Sequence, residues 1–162
     1  MLTVLRMLTL ALCAMAVDAC SAGEATPLGE EPNYYPAARA SYKKLGSPRF
    51  DFWLDIPVGW RAFDRSANGD GYFMEVGDPA VDVRAYGAYM DQPARRSKRA
   101  RFVFADGRQG WRESAPGQVT YVRPEADRCV YLYVKAPDAW MKQNAGVVAH
   151  VARSLRPGAR KP

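Results

Sequence analysis

Few residues in this chain have the types and spacing that catalysis requires. A hydrolase or transferase needs a nucleophile with a base, a pair of carboxylates, or a metal ion. His150 is the single histidine, which argues against Ser-His-Asp triads, Cys-His pairs and His-rich metal sites. We interpret it as a solvated surface residue. Cys129 lies in an apolar run, where a small thiol is an ordinary core residue.

The best carboxylate pair is Asp51 and Asp55, which lie four residues apart on the same face of a strand. Their Cα atoms should be about 13 Å apart at the usual rise, which is far for a glycosidase pair. The turn Asn68-Gly69-Asp70-Gly71 lacks the further carboxylates and the terminal Glu of a calcium loop. We therefore predict no enzyme, cofactor or metal. A hydrolase that uses Asp51, Asp55 or Cys129 remains the enzymatic alternative.

One surface feature exceeds the background, a cluster of five positive charges in seven residues. It predicts an anionic partner, which is an acidic protein or else lipid head groups or lipopolysaccharide phosphates. The alternative is a solvated loop that limits aggregation. Nucleic acid is not expected, because binding would call for interleaved exposed aromatic residues. The cluster consists of Arg95, Arg96, Lys98, Arg99 and Arg101.

The N-terminus predicts export from the cytoplasm. Residues 1–19 carry one early positive charge, then an apolar run that is too short to span a bilayer, then small residues. Val17-Asp18-Ala19-Cys20 resembles the lipobox of bacterial lipoproteins. This resemblance predicts lipid attachment at Cys20 and a membrane-anchored protein that faces the periplasm. Asp18 departs from that pattern. Cleavage by the ordinary signal peptidase, which would give a secreted or periplasmic protein, therefore stays open.

The remaining chain is long enough for one domain. We predict a signal peptide over 1–19, a flexible tether over 20–41, a single α+β domain over 42–157 and a basic tail over 158–162. The formal net charge is +6. Arg6 and Asp18 leave together with the signal, so the mature chain keeps this excess of positive charge.

Strands dominate the predicted domain. Residues 50–56 alternate, with Phe50, Phe52, Leu54 and Ile56 on one face and Asp51, Trp53 and Asp55 on the other. Residues 60–63 and 72–76 would complete a meander around the turn at 68–71. Further strands are predicted at 81–89, 101–104, 110–113, 118–123 and 128–135. In the last of these, Tyr131 and Tyr133 lie opposite an inward row of Val130, Leu132 and Val134.

The final segment changes to helical spacing. Asp138 is a plausible N-cap, and a stripe of apolar residues runs from Trp140 to Leu155 until Arg156-Pro157-Gly158 ends the helix. The fold class is thus α+β, an antiparallel sheet of about six to seven strands packed against a C-terminal helix. A third layer, giving an α/β/α sandwich, would cover Trp53, Tyr131 and Tyr133. Without it, these three aromatic residues form a patch for a protein or ligand partner.

Two blocks of sequence resemble the PsbP-like family of small α/β/α domains. Residues 50–60, FDFWLDIPVGW, look like its aromatic strand and Pro-x-Gly-Trp turn, and residues 148–155, VAHVARSL, look like its closing helix. That family includes bacterial lipoproteins and chaperones of type VI secretion effectors. The resemblance implies a non-enzymatic accessory or immunity-type factor of a secretion system that binds a protein partner. A secreted small-ligand binder is the alternative.

Overall fold

The computed structural model describes residues 41–65, 68–89 and 98–158, with the side chain of Lys98 left out. These residues form ten strands and one helix. In chain order the elements are β1 (Tyr42–Ser47), β2 (Phe52–Pro57), β3 (Arg61–Phe63), β4 (Gly71–Glu75), β5 (Asp82–Ala88), β6 (Lys98–Val103), β7 (Gln109–Ala115), β8 (Gln118–Pro124), β9 (Cys129–Lys135), α1 (Asp138–Arg153) and β10 (Arg156–Pro157).

The strands form two antiparallel sheets. The larger has seven strands in the order β3-β4-β5-β9-β8-β7-β6, and the smaller has three in the order β1-β2-β10. The α+β class and the seven-stranded antiparallel sheet are as predicted. β3 and β4 form the predicted hairpin across residues 68–71, but the predicted meander is wrong in its first strand, because β2 pairs with β1 and β10 instead of β3. The turn at residues 57–59 takes the chain out of the small sheet, and buried Trp60 leads it into the large one.

One main core joins the small sheet, the helix and one face of the large sheet. The alternation predicted for residues 50–56 is confirmed, because Phe50, Phe52, Leu54 and Ile56 are all buried. They share the core with Val130, Leu132 and Val134 of β9 and with Val148, Val151 and Ala152 of α1. Burial of this apolar surface supplies the main driving force for folding.

The C-terminal helix buries the face that its sequence predicted. Its apolar stripe reaches the core, but Pro137 occupies the N-cap position and no side chain caps the helix. Asp138 is instead the first helical residue, where its negative charge favours the positive end of the helix dipole. His150 is half-buried, and its ring stacks on Tyr42 with the centroids 3.9 Å apart. The prediction of a solvated histidine was therefore wrong.

The second face of the large sheet carries no helix within the described residues. A smaller cluster lies there, in which Val122, Cys129 and Tyr131 are buried and Tyr86, Ala88 and Trp111 pack against them. Tyr89 directly follows β5. It is 63% exposed, although its ring contacts that of Phe50. The described residues therefore show two layers, the large sheet on one side and the small sheet with the helix on the other.

Candidate functional site

Part of the basic cluster lies on a strand rather than a loop. Lys98, Arg99 and Arg101 all belong to β6, the end strand of the large sheet, so this strand begins three residues before the predicted start at residue 101. Charged residues are common on end strands, because they prevent edge-to-edge pairing with other chains. Arg95 and Arg96 lie outside the described residues.

The strand alternation fixes where its arginines lie. Phe102 is buried in the main core, so Arg99 and Arg101 are on the opposite face of the sheet. Both side chains are exposed. The buried phenylalanine therefore anchors the strand, while its neighbours present positive charge.

Arg99 is held in place by its neighbours on β7. Its Nε and Nη2 both donate to Oε1 of Glu113, at 3.0 and 2.7 Å, and its guanidinium lies 4.3 Å from the centroid of the Trp111 ring. The Glu113 side chain is only 3% exposed. Arg99 thus satisfies a buried carboxylate as well as adding to the surface charge.

Tyr131 and Tyr133 both lie on the second face of the large sheet, as predicted. Tyr131 is buried and stacks on Tyr86, with the ring centroids 4.9 Å apart. Burial raises the pKa of the Tyr86 and Tyr133 hydroxyls. Tyr131 is therefore a packed residue, and only Tyr133 retains partial exposure.

Tyr133 lies in a cationic and aromatic row. The Arg84 guanidinium lies 4.6 Å from the ring centroid of Phe73 and 5.6 Å from that of Tyr133. Two hydrogen bonds to Asp82 orient it and raise the pKa of the arginine. The Arg84 guanidinium therefore contacts two aromatic rings while it remains paired with the Asp82 carboxylate.

Trp53 lies far from the two tyrosines. It is on the outer face of the small sheet, so the main core separates it from the second face of the large sheet. The three aromatic residues therefore do not form the single patch that was predicted. Trp53 is 43% exposed and its indole lies over Gly46, where a Cβ would overlap the ring.

The residues considered for catalysis are dispersed. Asp55 forms an ion pair with Arg156 at 3.0 Å, and an Asp51 oxygen lies 3.9 Å from Arg128. Cys129 is buried in the small cluster on the second face. Among the described residues, no group of three or more histidine, cysteine or acidic side chains could hold a metal ion.

A buried arginine that the prediction missed ties three parts of the fold together. Arg123 is 3% exposed, donates two hydrogen bonds to Asp106 and one each to Glu125 and the Leu155 carbonyl, and lies over Phe104. Burial alone would lower the pKa of this arginine, but the hydrogen bonds to Asp106 and Glu125 raise it. The alternation of β8 could have identified it, because a period of two places Arg123 on the same buried face as Val119 and Tyr121.

The predicted lipid attachment residue Cys20 lies outside the described residues. Within them, no helix is long and apolar enough to cross a membrane. The anchor therefore stays a prediction that rests on residues 1–20.

The fold is PsbP-like. The solution structure of cyanobacterial PsbP (CyanoP) from Synechocystis superposes with a TM-score of 0.53 over 82% of this chain and 99% of that one, at 9% identity. A crystal structure from Bacteroides thetaiotaomicron matches at a TM-score of 0.46 and 11% identity, over 73% of this chain and 49% of that one. No family model and no curated protein matches the sequence. The expectation of a PsbP-like fold is thus confirmed.

Proposed function

We propose that this protein is a non-enzymatic binding domain of the bacterial envelope, which is anchored through lipid on Cys20 and binds an acidic protein partner. The PsbP-like fold is consistent with a non-enzymatic binding domain. The observation that carries the proposal is the position of β6, which places Arg99 and Arg101 together on one face of an end strand. The resemblance adds an accessory or immunity-type role in a secretion system.

The charge of β6 favours an acidic partner over an apolar one. Arg95, Arg96 and Lys98 precede or begin the strand, so five basic residues follow one another without an acidic residue between them. Glu113 forms an ion pair with Arg99, so part of this positive charge is balanced within the sheet. Complementary charges mainly raise the rate of association, and salt screens them over about 8 Å at physiological ionic strength.

The binding test separates the role of the cluster from net charge. We expect the variant with Arg95, Arg96, Lys98 and Arg101 all replaced by Gln to lose the partner that the wild type retains from envelope extract. Arg99 is kept because it satisfies Glu113. A control variant loses the same charge elsewhere and should bind normally; it replaces Lys43, Arg61, Lys135 and Lys142.

Three outcomes contradict the binding proposal. The partner could bind both variants equally, or it could show no dependence on salt. Alternatively, the wild type could retain no protein and bind vesicles of anionic lipid or lipopolysaccharide through the same residues. That last result would assign the cluster to phosphate groups on a membrane surface instead of a protein.

The anchor has its own test. Cys20→Ser should move the protein from the membrane fraction to the soluble fraction, since acyl chains contribute about 0.8 kcal/mol per buried CH₂. Ser21→Ala, which keeps the cysteine, is the matched control. A wild type that is already soluble, or a Cys20→Ser variant that stays with membranes, would contradict the lipoprotein proposal.

A further inference from the structure

A groove runs along the outer side of the small sheet, at the end formed by β10. Two depressions of about 280 Å³ each share Pro157 and Gly158. Lys44, Trp53 and Arg156 line one, and Asp51, Arg128 and the acidic residues of the β8–β9 turn line the other. Taken together, they reach the range of about 300–1,000 Å³ that is typical of small-molecule sites.

The two halves of the groove are held together by direct contacts. The Gly158 N–H donates to the Asp51 carbonyl at 2.7 Å. A Cβ at Gly158 would overlap the Asp51 carboxylate and come within 3.0 Å of Trp53 Nε1. Asp51, Gly158 and the indole edge are therefore neighbours, and only a residue without a side chain at position 158 leaves room for the Asp51 carboxylate.

Two residues that line the groove, Asp51 and Arg128, carry buried polar atoms with unused hydrogen-bonding capacity. Arg128 is 8% exposed, and its buried Nε has no partner in the described structure. The same is true of Asp51 Oδ2, which lies 3.9 Å from Arg128 Nη2, beyond hydrogen-bonding distance. An unsatisfied buried donor or acceptor destabilises the free protein, so a ligand that pairs with these two atoms gains affinity.

The chemistry of the groove selects a class of ligand. A hydroxyl group donates and accepts at once, so it can pair with the Arg128 donor and the Asp51 acceptor together. The lining carries three cations, Lys44, Arg128 and Arg156, and three anions, Asp51, Glu125 and Asp127, which favours a neutral ligand. The exposed Trp53 ring offers a flat apolar surface beside these polar groups.

We infer that this groove is a binding site for a neutral saccharide, with a pyranose ring stacked on Trp53 and its hydroxyls directed to Asp51 and Arg128. A pyranose combines a flat face of C–H groups with hydroxyls around its rim. The site is separate from β6, because none of its lining residues belongs to that strand. Saccharide binding and partner binding can thus fail independently.

Saturation-transfer NMR and calorimetry on the purified protein test the site with three probes. These are the neutral trisaccharides chitotriose and cellotriose and the anionic trigalacturonate. We expect at least one neutral probe to bind, and Trp53→Ala to raise its dissociation constant by about tenfold or more. Tyr89→Ala removes a comparably exposed aromatic residue and should leave binding within about twofold.

A second variant keeps the test valid if Trp53→Ala fails to fold. Asp51 has a positive φ of 45°, which asparagine also tolerates, so Asp51→Asn should keep the backbone and weaken binding by about threefold to tenfold. The inference is overturned if no neutral probe binds the wild type, if folded Trp53→Ala and Asp51→Asn bind as well as the wild type, or if trigalacturonate binds more tightly than both neutral probes.

Discussion

Arg99 covers Glu113: two of its nitrogen atoms donate to the same carboxylate oxygen, and the glutamate side chain is 3% exposed. This pair shows that the basic cluster contains residues of two kinds. Arg99 satisfies a buried carboxylate, whereas Arg101 is exposed and forms no salt bridge with another described residue. Replacing the whole cluster at once would therefore mix stability with recognition.

Arg99→Gln should lower the free energy of unfolding by about 1–2 kcal/mol, because Glu113 loses two charge-assisted hydrogen bonds. Arg101→Gln is the matched control and should change it by less than about 0.5 kcal/mol. Urea unfolding followed by circular dichroism measures both. Equal stability of the two variants would show that the Arg99–Glu113 pair adds nothing.

The sequence predicted best where a strand or helix has one buried face. The strict alternation of residues 50–56 and the inward row of β9 identified core residues correctly, because a period of two assigns each side chain to a face. The Val-rich stripe of α1 was equally informative. In each case the signal is local, so no knowledge of the partner strand was needed.

The missed features depend on contacts between distant parts of the chain. β1 reads YKKLGS and β10 has only two residues, and neither alternates, so their pairing with β2 could not be predicted. The prediction of one patch containing Trp53 and Tyr131 failed for the same reason. The two residues belong to different sheets, and only the strand order shows this. β6 was shortened in the prediction because its charges resemble those of a loop.

Gly46 should be intolerant of a side chain because the Trp53 indole occupies the space of its Cβ. Gly46→Ala should destabilise the fold by about 1–3 kcal/mol, as overpacking does, and should change tryptophan fluorescence. Gly59 has no atom within 4 Å of its Cβ position, so Gly59→Ala is the matched control. A stable Gly46→Ala variant with unchanged fluorescence would contradict the contact.

Arg123 should be the most sensitive charged residue, because it is buried and bonds to Asp106, Glu125 and the Leu155 carbonyl. Arg123→Met should cost about 2–4 kcal/mol in urea unfolding. This is below the largest values for broken buried pairs, since Asp106 is 43% exposed and can be rehydrated. Arg108→Met loses one exposed hydrogen bond to Pro124 and should cost less than about 1 kcal/mol. Similar losses in the two variants would refute the network.

The same network predicts how stability depends on pH. Hydrogen bonds from Arg123 hold the pKa of Asp106 below its ordinary value. In the unfolded chain that pKa is about 3.9, so the folded state favours the charged carboxylate and gains stability from it above about pH 4. This contribution is lost as the pH falls through the lowered pKa of the folded state.

Asp106→Asn should therefore be less stable than the wild type near neutral pH, and the difference should shrink below about pH 4. Urea unfolding at a series of pH values measures this difference. It should be modest because solvent screens the partly exposed carboxylate. Adding Asp106→Asn to Arg123→Met supplies the control, since the pH-dependent part of the difference should vanish once the arginine is gone. If that part persists in the absence of Arg123, or if it grows as the pH falls, the arginine does not stabilise the Asp106 carboxylate.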